Sequence, residues 1–73
     1  MIEKQMWNSL GKQVKIICVS GRIFEGRVSG WTSAEDNEAD EDRAESSIDL
    51  RREGVSGLTC LYASEIKSIE ILN

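Results

Sequence analysis

The stretch from Gly11 to Trp31, GKQVKIICVSGRIFEGRVSGW, decides the fold. It holds two runs of β-favouring residues, Val14 to Val19 and Ile23 to Trp31, joined by Ser20 and Gly21, and it predicts a β-hairpin. Side chains alternate sides along a strand. Val14, Ile16 and Cys18 therefore share one face of the first run, and Phe24, Gly26, Val28 and Gly30 share one face of the second. Two of those last four positions are glycines. Glycine weakens a strand interior unless the chain bends there or another backbone comes close. A long, bent second strand of this kind points to a small closed barrel.

Working outward, Met1 to Leu10 carries Ile2, Met6 and Leu10 at intervals of four, with Trp7 beside Met6, which predicts a helix over residues 1–10. So short a helix does not stand alone in water, so its apolar face is expected to lie across the barrel with Trp7 as a lid. The same stripe also fits a partner-binding or membrane-surface helix, and packing on the core is the plainer reading.

After Trp31 the composition turns acidic. Glu35, Asp36, Glu38, Asp40, Glu41, Asp42 and Glu45 are offset only by Arg43, and no apolar periodicity runs through them, so residues 33–46 are expected to form an exposed, mobile acidic loop. The alternation of acids from Asp36 superficially suggests a calcium loop. That pattern needs glycine at its sixth position and glutamate at its twelfth, where this chain has Glu41 and Ser47.

Strand patterning resumes at Ser47 to Arg52, with Ile48 and Leu50 on one side and Asp49 and Arg51 on the other. Glu53 to Gly57 reads as a turn. In Leu58 to Tyr62, Leu58, Cys60 and Tyr62 share one face and Thr59 and Leu61 the other. After a break at Ala63 to Glu65, Ile66 to Leu72 closes the chain with Ile69 and Ile71 on alternate positions and Leu72 opposite. Strands apolar on both sides suit pairing across a subunit interface, which makes Leu58, Leu61, Ile69 and Leu72 candidate interface residues. The expected architecture is one all-β domain over residues 1–73: a short N-terminal α-helix followed by a strongly bent five-stranded antiparallel barrel.

Composition narrows the function. A chain of 73 residues buries only about 60% of its unfolded surface, and stapling by metal or self-association is the common remedy. There is no histidine, and Cys18 and Cys60 alone make no tetrahedral zinc site, so no metal or cofactor is expected. The two cysteines are expected to be reduced and buried. Homo-oligomerisation is the remaining route to stability. No run is long and apolar enough to cross a bilayer and no secretory segment is evident, so a soluble cytoplasmic protein with no membrane partner is expected. The formal net charge is -4, so a general basic footprint for nucleic acid is missing. With no histidine, nucleophile elbow or phosphate-cradling glycine loop, the chain is not expected to be an enzyme.

Several short motifs together carry a family resemblance. Leu10-Gly11-Lys12 before the first strand, Ser20-Gly21 in the turn, Phe24-x-Gly26-x-Val28, and the terminal Glu65-Ile66-Lys67-Ser68-Ile69 resemble an Sm-like (LSM domain) protein. The resemblance spans nearly the whole chain. It implies a ring of six or seven subunits, in which the fourth strand of one pairs with the fifth of the next, and it implies RNA binding. Other small barrels, including the oligonucleotide-binding fold, are alternative closures of five strands.

The RNA site implied by the resemblance is altered. Family members that bind uridine-rich RNA carry an Asp and, three residues on, a base-contacting Asn preceded by a stacking side chain; those positions here hold Ser33, Asp36 and Glu35. A slip of one residue brings Asn37 into the Asn position. The family's Arg-Gly pair is replaced by Tyr62-Ala63. The candidate RNA-binding set is therefore Asp36, Asn37, Tyr62 and Lys12, with Tyr62 either stacking on a base or packing at the barrel end. A second reading is a protein-interaction or scaffolding oligomer whose acidic segment engages a basic partner.

Overall fold

The computed structural model describes residues 2–41 and 44–72. Met1, assigned above to the helix, Asp42 and Arg43, assigned to the acidic loop, and Asn73 lie outside the described residues. The described chain runs α1 (Ile2–Asn8), β1 (Gln13–Cys18), β2 (Ile23–Thr32), α2 (Ala34–Glu41), β3 (Ser47–Arg51), β4 (Thr59–Tyr62), a single 3-10 turn (Ala63–Glu65) and β5 (Ile66–Ile71). All five strands form one antiparallel sheet in the order β4-β3-β2-β1-β5.

The hairpin of β1 and β2 forms as its alternation requires. Val14, Ile16, Cys18, Phe24, Gly26 and Val28 are all buried, and Gly21 turns the chain at φ +94°, a conformation that costs a residue with a Cβ about 1–2 kcal/mol. The ten residues of β2 serve two partners. Ile23 to Arg27 pair with β1, Arg27 to Thr32 pair with β3, and the register shifts between Val28 and Gly30. At that changeover a Cβ on Gly26 would run into the Arg51 carbonyl oxygen. The close backbone approach expected from the glycines is thus present at Gly26.

The inner face of this curved sheet gathers one core: Val14, Ile16, Cys18, Phe24, Val28, Ile48, Leu50, Leu61 and Ile66, with Met6 inserted from α1. Full burial of each such aliphatic side chain contributes roughly 1.5–3 kcal/mol. The helix stops at Asn8, short of Leu10, which is exposed; Met6 carries its anchoring and Ile2 packs beside it. Trp7 is 55% exposed and is no lid; it meets Trp31 edge to face, with ring centroids 5.2 Å apart.

Three further expectations are corrected. Residues 33–46 are not a loop throughout, because Ala34–Glu41 is helical despite having no apolar stripe. Leu61 is a core residue at 4% exposure rather than an interface residue: it pairs with the fully buried Ile48, and cross-strand partners share a face. Cys60, one residue away, therefore faces outward, and only Cys18 is buried. Leu58 precedes β4 and is 55% exposed, Ile69 is half-buried against the core, and Leu72 is exposed.

Candidate binding site

Two places on the molecule hold polar groups in a defined arrangement. The first contains the residues expected from the sequence. Ser33 caps α2: its Oγ accepts from the Asp36 backbone N–H at 3.2 Å and its carbonyl accepts from that of Asn37 at 3.0 Å. Glu35 and Asp36 in the first turn suit the positive end of the helix. Asn37 is 6% exposed. Its Nδ2 donates to the Glu45 carbonyl at 2.6 Å and to Ser47 Oγ at 3.0 Å. Ser47 in turn pairs with Tyr62 across β3 and β4. Asn37 and Tyr62 thus converge on Ser47 from two sides.

This convergence fastens the chain together. An amide nitrogen has two hydrogens, and both are committed, so Asn37 could offer them to a base only by releasing α2. Tyr62 is half-buried, with its backbone N–H given to Glu65 Oε1 at 2.9 Å. Asp36 is exposed. Lys12 stands apart, just before β1, where its backbone bonds Ser9 and Val28. Of the four candidates, Asn37 and Tyr62 come together, Asp36 lies one residue away on α2, and Lys12 does not join them.

The second place was not expected as a site. A cleft of about 380 Å³ opens between the β1–β2 turn, the β3–β4 turn, β4 and the 3-10 turn, and is lined by Ser20, Arg22, Phe24, Arg52, Thr59 and Glu65 among others. The Arg22 and Arg52 guanidinium carbons each lie 4.9 Å from the Phe24 ring centroid, within cation–π range. Arg52 Nε also donates to Thr59 Oγ1 at 3.0 Å. On the cleft wall, burial first and then the Glu65 carboxylate push the Cys18 thiol up from 9.0, against a downward pull from Arg22.

The signal for this cleft was present in strand parity. Arg22 lies two residues before Phe24, and Arg52 two residues after Leu50, so each occupies the inward-facing parity one step beyond the apolar run. The inner surface changes there from hydrocarbon to guanidinium.

A shallower depression of about 270 Å³ between α1 and β5 is lined by Gln5, Asn8, Ile69 and Ile71. Among the described residues no group of three or more Cys, Asp or Glu is placed to hold a metal ion. No helix there is long and apolar enough to cross a membrane. Comparisons with protein-family models, with curated proteins and with solved structures find no match for this chain.

Proposed function

We propose that this chain is a non-enzymatic, ring-forming Sm-like binding module of the cytoplasm that acts on RNA through an altered site. The observation that carries the reading is the strand order. With the sheet running β4-β3-β2-β1-β5, β4 and β5 are its two edges, and these are the strands that the resembled family joins between subunits. Edge strands present unpaired backbone groups and invite strand addition. Exposed Ile71 and Leu72 at one edge, and Leu58 beside the other, add apolar surface for that contact. A cytoplasmic setting is supported by cysteines that form no disulfide.

Light scattering at two salt concentrations tests the ring. A hexamer or heptamer is expected, and a monomer at both concentrations overturns the proposal. Filter binding with uridine-rich and adenine-rich oligonucleotides tests the RNA reading; no salt-dependent retention at micromolar protein removes it.

A scaffolding role is the second reading, and the burial of Asn37 favours it. With its amide spent on Glu45 and Ser47, α2 is fastened to the body and presents exposed Glu35, Asp36 and Glu38 as a fixed acidic face for a basic protein. Neutralising those three residues to Gln, Asn and Gln should release a co-purifying basic partner and leave the assembly's mass unchanged. Unchanged co-purification overturns this reading.

A further inference from the structure

We propose that the cleft framed by Arg22, Phe24 and Arg52 is a binding site for a single phosphomonoester, such as a mononucleotide or the phosphorylated end of an oligonucleotide carries. Among the described residues, the guanidinium contacts are the Phe24 ring and, for Arg52, Thr59 Oγ1; neither guanidinium meets a carboxylate. In a chain of net charge -4, two such cations on one cleft that holds a single carboxylate, that of Glu65, is an unusual allocation. Arg52 is also half-buried, where an uncompensated charge is unfavourable until an anion arrives.

Each guanidinium carbon sits over the Phe24 ring, and that contact limits the rotamers open to the side chain, so less freedom is lost when an anion binds. Guanidinium matches phosphate oxygens bidentately, and Ser20 and Thr59 add hydroxyls to the lining. The cleft volume of about 380 Å³ falls among small-ligand pockets.

Charge selects the form of phosphate. A monoester carries about -1.5 to -2 at neutral pH, which two guanidiniums balance, whereas a backbone diester carries one charge. Glu65 on the same cleft already accepts the Tyr62 N–H, and two guanidiniums are too few for the larger charge of a triphosphate. The cleft uses neither of the residues proposed to read bases, Asn37 and Tyr62.

The test is a backbone-amide NMR titration of the full chain with inorganic phosphate, uridine 5′-monophosphate, uridine 5′-triphosphate and uridine. Phosphate and the monophosphate are expected to shift amides of residues 18–22, 52 and 59–65; uridine is not, and the triphosphate is expected to bind more weakly. Arg22→Gln and Arg52→Gln are each expected to weaken monophosphate binding about tenfold or more, and Arg22→Lys by less. Should Arg52→Gln fail to fold by circular dichroism, Arg22→Gln at its exposed position decides. Unchanged affinity in Arg22→Gln, shifts confined to other residues, or uridine binding as well as its monophosphate overturns the proposal. Oligouridines with and without a 5′-phosphate distinguish the source: preference for the phosphorylated chain assigns a strand end, and equal affinity for the two assigns a free mononucleotide.

Discussion

Gly26 leaves open the place that the Arg51 carbonyl takes: a Cβ on Gly26 would strike that oxygen and come within 3.1 Å of Leu50 Cγ. The contact sits where β2 exchanges β1 for β3 as its partner, so the backbone has little room to retreat. Gly26→Ala is expected to destabilise by about 2–3 kcal/mol, the range of an overpacked core. Gly30→Ala meets Asp49 Oδ2 at 3.1 Å, a side-chain atom that can rotate away, and should cost under about 1 kcal/mol. Urea unfolding of both variants checks this, and equal losses would refute the difference.

Replacing Asn37 with Ala removes two hydrogen bonds and leaves the Glu45 carbonyl and Ser47 Oγ without that donor. A loss of about 1–3 kcal/mol is expected, with α2 the first element to lose amide protection. A base-reading Asn would give the reverse pattern. Stability would then hold while oligonucleotide retention fell.

The two neighbouring residues of α1 should differ sharply. Met6→Ala empties a fully buried position and is expected to cost about 2–5 kcal/mol. Trp7→Ala gives up an edge-to-face contact with Trp31 from a mostly exposed ring, worth about 0.5–1.5 kcal/mol. Thermal or urea midpoints give the ordering, and a larger loss at Trp7 would contradict it.

The thiols separate by burial and by pH. Exposed Cys60 should react with iodoacetamide well before buried Cys18, as read by peptide mass spectrometry. Since Cys18 keeps its proton to higher pH in the folded chain than the ordinary 9.0, its contribution to stability is complete below about pH 9 and is lost as pH rises through the folded value. Unfolding midpoints should therefore fall at alkaline pH. Cys18→Ala, though less stable throughout, should show a flatter alkaline limb.

The sequence pattern carried the sheet well where burial alternates cleanly. Val14, Ile16 and Cys18, then Ile48 and Leu50, read directly as inward faces. It carried β4 poorly, since Leu58, Cys60 and Tyr62 look as apolar as Leu61 until the pairing of Leu61 with Ile48 fixes which side is in. Helix α2 escaped a search for apolar stripes because, among the described residues, a polar group anchors it to the body, the amide of Asn37. The trace it left was Ser33 followed three residues on by Asp36, the signature of a helix start. For the site, the family resemblance put Asn37 and Tyr62 in one candidate set, but only the fold shows Asn37 turned inward as a fastener.

The segment Glu45 to Ser47 has a consequence for how the molecule opens. Ser46 Oγ donates to Glu3 Oε2 on α1, the Glu45 carbonyl and Ser47 Oγ hold Asn37 on α2, and Glu45 Oε1 accepts from the Ser64 N–H in the 3-10 turn. Three consecutive residues thus latch three elements that are remote in sequence. Breathing at any one of them loosens the others, so the N-terminal helix, the acidic helix and the connection into β5 should exchange their amide hydrogens as one cooperative unit.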